Sequence, residues 1–291
     1  MEEKLNFTGL DVSLTKKLTN YLTELIGLLS DDGLESIIVY GSAAIAEFDA
    51  KHSNVNLMVV VRALDLPLLR KVQPLVRKGH RKGIVAPLFL THRHMETSSD
   101  VFPIEFLDMS DLHHLIYGQN PFTKLEINTE HLCLECEEKL KGSLITLRQS
   151  FLELAHNSRD MMNLIASSIT TLSSVFRGLI RLAGKKAPAS KPDVITAMAK
   201  LYPVDADNFL KALDIKAKKL RMKKDEVDSF FAAYLADIEK LALHVDKMGA
   251  KISQPTATKT ASTKSPMKKP ASLKTKTIKK KARRRSKSIS K

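Results

Sequence analysis

Two short β-branched runs constrain the fold of this 291-residue chain more than any other feature of it. Ser36-Ile37-Ile38-Val39-Tyr40 and Val55 to Val61 are apolar at successive positions rather than at alternate ones. A strand that is apolar throughout is buried on both faces, so each run predicts a buried strand. Helical patterns surround them. From Asp11 to Leu29, Leu14, Leu18, Leu22, Leu25, Ile26 and Leu29 recur at a spacing of three to four, which predicts an amphipathic helix capped by Asp11 or Ser13 and ended by Asp32-Gly33. Leu66 to Arg81 reads as a second helix with a basic outer face, Val85 to Leu90 as a third strand and Val101 to Met109 as a fourth. Pro103 would place that fourth strand at an edge or at its own beginning. Strands alternating with helices predict an α/β domain over residues 1–128.

Beyond Asn128 the strand signal disappears. Thr129 to about Ala155, Arg159 to Leu182, Pro192 to Leu201, Asp205 to Leu220 and Lys224 to Met248 all carry helical patterns, which predicts a helical bundle over residues 129–249. Asp225, Glu226 and Asp228 suit the positive end of the last helix. The apolar stretch Leu164 to Ala183 holds six Ser or Thr residues plus Arg177 and Arg181, and reads as a buried helix rather than a membrane span.

Composition separates off a third region. The chain has 47 Lys and Arg against 32 Asp and Glu, a net charge of +15. Fifteen of the basic residues and none of the acidic ones lie in residues 250–291, which leaves residues 1–249 formally neutral. The excess charge is therefore a property of a tail and not of a basic globular domain. Rich in Lys, Ser, Thr, Ala and Pro, the tail has too little apolar surface to fold and is expected to be disordered. The acidic start Met1-Glu2-Glu3-Lys4 has no apolar core like that of a secretory signal, and two cysteines build no disulfide framework. An intracellular location, cytoplasmic or at a nucleoid or nucleus, is the expectation, with no membrane partner.

The chemistry-bearing pattern is Gly41-Ser42 at the end of one strand, then Asn54-Val55-Asn56 at the start of the next, then Glu105 within Pro103-Ile104-Glu105-Phe106. Over roughly residues 12–115 this resembles the nucleotidyltransferase superfamily that includes DNA polymerase beta and the kanamycin nucleotidyltransferases. The resemblance implies an α/β nucleotidyltransferase-like domain in which Gly41 and Ser42 hold the phosphates of a nucleoside triphosphate. Gly permits close backbone approach, and a Ser hydroxyl can bind a phosphate oxygen. It also implies metal ligands at positions 54 and 56 and a third at Glu105. Residues two apart on a strand share a face, so such a pair can hold a metal ion with the third carboxylate opposite.

Here the chain departs from the family. Asn54 and Asn56 stand where the pattern calls for two carboxylates, and an amide brings no charge to a Mg²⁺ site. Asp49 and Asp108 lie nearby in sequence, although on a strand Asp108 would face away from Glu105. The first reading is a nucleotidyltransferase-like protein with weakened or absent catalysis that keeps nucleotide or nucleic-acid binding. The second is a working enzyme that uses Mg²⁺ and a nucleoside triphosphate, with Gly41 and Ser42 on the phosphates and Glu105, Asn54 and Asn56 at the reacting centre. The third is a DNA-associated scaffold.

The tail resembles linker-histone C-terminal tails. Its clusters Lys268-Lys269, Lys279-Lys280-Lys281 and Arg283-Arg284-Arg285 are expected to contact nucleic-acid phosphates without sequence preference, or to serve as a localisation signal. Other features are weaker. Cys133 and Cys136 have zinc-ligand spacing without a second pair and read as buried helix-face residues. His92, His94, His113 and His114 lack a metal-site spacing and read as surface or loop residues. Arg70, Lys71, Arg77, Lys78, His80, Arg81 and Lys82 form either a solvated helix face or a phosphate-contacting patch.

Overall fold

The computed structural model describes residues 5–44, 54–154 and 157–252. Asp49 and the tail residues Lys268, Lys269, Lys279, Lys280, Lys281, Arg283, Arg284 and Arg285 lie outside the described residues. Among the described residues, those up to Gly118 form a mixed four-stranded sheet covered by helices, and those from Thr129 to Ile252 are mostly helical. Among the described residues no helix is long and apolar enough to cross a membrane.

The two β-branched runs are the inner strands. β1 (Leu34–Tyr40) lies between β2 (Asn56–Val61) and β4 (His113–Gly118), antiparallel to both, and β2 pairs in parallel with the short β3 (Leu88–Leu90). Ile37, Val39, Leu57, Val59 and Val61 turn to one face, where α1 (Val12–Leu29) and α2 (Leu66–His80) bury them. Ile38, Met58 and Val60 turn to the other and pack on α3 (His92–Ser98) and α4 (Pro103–Asp111) through Met95, Phe106 and Met109. Both faces are covered, which is why these strands show no polar alternation. α1 begins at Asp11, whose Oδ1 accepts from the backbone N–H of Ser13 at 2.8 Å and of Leu14 at 3.3 Å.

The expected fourth strand at Val101–Met109 is a helix. Pro103 is in the first turn of α4, where its fixed φ suits the helix and its missing N–H costs nothing, and Glu105 lies in the same turn at the positive end of the helix dipole. Helical spacing also divides its apolar residues correctly: Phe106 and Met109 face the sheet, while Ile104 and Leu107 join the helical core. The real fourth strand is β4, an edge strand whose burial is nearly confined to Ile116. The third is shorter than expected, beginning at Leu88 instead of Val85.

Five helices complete the described chain: α5 (Thr129–Leu154), α6 (Ser158–Leu182), α7 (Lys191–Ala199), α8 (Ala206–Lys216) and α9 (Lys224–Ile252). α6 is central and packs against α4, α5, α7, α8 and α9. Cys133 and Cys136 are buried free thiols on α5. At Gly178 of α6, an added Cβ would lie 2.7 Å from the Cys136 Sγ, so the glycine permits the close approach of α5 and α6. Arg177 and Arg181, the two charges in the apolar stretch, are held in place. Arg177 donates to the carbonyls of Pro188 and Ala189, and Arg181 bridges Asp108 at 2.8 Å and Asp111 at 2.7 Å.

Candidate functional site

The expected phosphate turn and the second Asn come together at one end of the sheet. β1 ends at Tyr40 and the backbone turns through Gly41 with φ +74°, a left-handed conformation that favours glycine, into a short 3-10 turn (Gly41–Ala44). The Gly41 N–H donates to the Leu112 carbonyl at 2.9 Å, which ties the turn to the start of β4. Ser42 is exposed on this turn. Tyr40 pairs with Asn56 on one side and with His113 on the other. Directly paired residues share a face, so Asn56, Tyr40 and His113 form a row across three strands beside the turn. The Asn56 Nδ2 atom is 3.5 Å from the position of a Cβ built on Gly41.

The histidine in this row is held at one ring nitrogen. His113 Nδ1 lies 2.8 Å from the Ser110 carbonyl, which can only accept, so Nδ1 carries a hydrogen. The edge of Phe122 holds the ring with centroids 5.0 Å apart. Burial pushes the Tyr40 phenol above its ordinary pKa and keeps it protonated. His113 and His114 are strand residues and His92 and His94 belong to α3, so none of the four is in a loop.

Asn54 is exposed just before β2, with Oδ1 4.0 Å from a Cβ position at Gly83 and the Lys17 ammonium beside that same glycine. The end of the basic helix α2 thus reaches the start of β2, where Val55 donates to the Gly83 carbonyl at 3.0 Å. Further back on α2, Lys71 pairs with Asp32 at 2.7 Å and Lys78 with Glu24 at 2.9 Å.

Glu105 makes its contacts with α5. From the first turn of α4 its carboxylate receives the Lys139 ammonium at 3.1 Å and a hydrogen bond from Glu135 of α5. Glu135 in turn accepts the Ile104 N–H at 2.7 Å and lies 3.2 Å from Lys139. Burial pushes the Glu135 carboxyl up to about 7, and its contact with Glu105 adds to the rise. Burial acts on Glu105 in the same direction, but the hydrogen bonds from Glu135 and Lys139 outweigh it and hold Glu105 below the usual carboxylate range. The pair shares a proton across the junction of α4 and α5. Asp108 belongs to a different contact, with Arg181, and burial raises its pKa.

Among the described residues, the donor set at the sheet end does not suit Mg²⁺. Among the described residues, the only carboxylate on the four strands is Glu35, near the opposite end of β1 and 3.2 Å from the His92 imidazole. Also among the described residues, no group of three or more His, Cys, Asp or Glu side chains is placed to hold a metal ion. Two amides, a phenol, a hydroxyl and an imidazole can exchange hydrogen bonds with a phosphate or a base, but supply no anionic charge. Sequence reasoning missed Tyr40, which reads only as the last residue of a strand, and His113, whose place in the row depends on β4.

No protein-family model and no curated protein matches the chain. It is similar to the crystal structure of a spectinomycin adenyltransferase from Enterococcus faecialis with ATP and spectinomycin, with 13% identity and a TM-score of 0.47 over 77% of this chain and 98% of that one. It is also similar to a nucleotidyltransferase-like protein from Exiguobacterium sibiricum 255-15, with 13% identity and a TM-score of 0.37 over 82% of this chain and 77% of that one. Similarities this distant assign no residue roles.

Proposed function

We propose that the chain is a nucleotidyltransferase-like protein that binds nucleotide phosphates at the Gly41–Ser42 turn and does not carry out nucleotidyl transfer. One observation carries the reading: the row beside the turn is Asn56, Tyr40 and His113, while the carboxylate of Glu105 is engaged by Lys139 and Glu135. Transfer through two metal ions needs negative charge to hold them, and amides provide none. Phosphate binding needs donors and a close backbone, which Gly41, the Ser42 hydroxyl and the Asn56 amide can supply. On this reading Asn54 and Asn56 are ligand-contacting amides, and Glu105 is a structural partner of α5. The cationic residues of 250–291, including Lys268, Lys269, Lys279 to Lys281 and Arg283 to Arg285, add non-specific contacts to nucleic acid.

Calorimetry with nucleoside triphosphates tests the reading. Binding is expected with Mg²⁺ or with EDTA in its place, and Ser42→Ala and Gly41→Val should both weaken it. An absence of heat with every triphosphate would reject nucleotide binding. Deleting residues 250–291 should remove most salt-sensitive DNA binding without altering the triphosphate isotherm.

A further inference from the structure

The neutral total for residues 1–249 conceals a local concentration of charge. Six of the nine residues from Lys216 to Lys224 are Lys or Arg and none is acidic. This stretch covers the end of α8, the connection after it and the first residue of α9. It borders a groove of about 510 Å³ against α6. Met162, Ile215 and Leu220 give the groove an apolar lining, Arg159, Lys218 and Arg221 bring cations to it, and no carboxylate lines it. Among the described residues, none of these three cations is in an ion pair.

Two further observations point to the same place. Lys218 has φ +58° and is the only non-glycine residue with positive φ among those described. It follows the C-cap Ala217, and its N–H donates to the Ile215 carbonyl at 3.0 Å while Lys219 donates to Asp214 at 2.9 Å. Glycine is the usual occupant of such a helix terminus, so this position accepts a conformational cost and carries an ammonium group at the groove. On the adjoining turn, Lys216 donates to Thr170 of α6, and burial together with the Lys191 charge lowers its pKa. Lys216 and Lys191 thus add to the positive charge near the groove.

We propose that this groove binds a nucleic-acid strand, with Arg159, Lys218 and Arg221 on successive phosphates and the apolar lining against sugar and base. Six cations are strung along the exposed segment 216–224, and Arg159 of α6 lines the same groove, which matches the repeated charge of a phosphodiester chain better than a single compact anion. No aromatic side chain lines the groove, so recognition through base stacking is not expected and sequence preference should be weak. The site is separate from the sheet-end turn and does not depend on nucleotide binding there.

The test uses the full chain and fluorescence anisotropy with labelled single-stranded 20-mers, a 20-base-pair duplex and a poly-Glu peptide of equal length. The triple variant Arg159→Gln, Lys218→Gly and Arg221→Gln should bind the single strand about tenfold more weakly, and its salt slope should fall by about 2, roughly 0.7 for each phosphate that is no longer neutralised. A control triple, Arg70→Gln, Arg77→Gln and Lys82→Gln, removes the same charge from exposed positions and should have a smaller effect. Lys218→Gly alone relieves the positive φ, so its melting temperature should hold or rise while binding falls, which separates a binding defect from a folding defect. Unchanged affinity and slope in the triple variant, or an equal loss in the control, would overturn the proposal. So would a poly-Glu complex that is tighter than the nucleic-acid complex and equally sensitive to the substitutions.

Discussion

Replacing Glu135 by Gln should make the protein less sensitive to pH between about 5 and 8. The Glu135 side chain is 6% exposed, and its carboxyl is pushed up to about 7 from an ordinary value of 4.5 by burial and by contact with Glu105. A folded-state pKa above the unfolded one means that the folded protein holds an extra proton in this window. The resulting stability is present at low pH and is lost as pH rises through about 7. At full weight the shift corresponds to about 3 kcal/mol, and screening reduces this to about 1–2 kcal/mol because Glu105 and Lys139 are 47% and 28% exposed. A Gln side chain can still accept from the Ile104 N–H and donate to Glu105, but it does not titrate. Thermal melts of both proteins at pH 5 and pH 8 measure the change in their difference. The variant should gain about 3–6 °C on the wild type between the two pH values, from roughly 2–4 °C per kcal/mol for a chain of this size. A difference that stays constant across the range, or moves the other way, would refute the shared proton.

Two other perturbations follow from the geometry. Arg181→Met leaves Asp108 and Asp111 without their ion-pair partner and should cost about 3–5 kcal/mol at neutral pH by urea denaturation; because burial raises the Asp108 pKa, the penalty should shrink as pH falls and Asp108 protonates. Gly118→Ala puts a Cβ 1.9 Å from the Glu35 carbonyl oxygen at a φ of +76°, so it should destabilise the chain by about 3 kcal/mol or more, seen as a lower melting temperature and poor soluble yield.

Most of the architecture was legible in the sequence because its signals are local. The β-branched runs became β1 and β2, Asp11 capped α1, and the periodic stretches after Asn128 became α5 to α9 within a few residues of the expected ends. The fourth strand failed because a six- to nine-residue apolar run suits either period, and Pro103 was read as an edge-strand residue when it serves equally well in the first turn of a helix. β4 was missed because an edge strand buries little, and His113-His114-Leu115 carries no strong strand signal. Of the placement of the candidate residues, only the part set by neighbouring strands was legible. Gly41 and Asn56 depend on one adjacent strand pair, whereas the removal of Glu105 to Lys139 and Glu135, and the arrival of His113 beside Tyr40, depend on contacts distant in sequence.

The most direct test of the account is incubation of the wild-type protein with labelled nucleoside triphosphates, Mg²⁺ or Mn²⁺ and cell extract, alongside Glu105→Ala and Asn56→Ala. The account predicts that triphosphate is bound and no label is transferred by any of the three proteins. Metal-dependent transfer of label that disappears in either variant would contradict it.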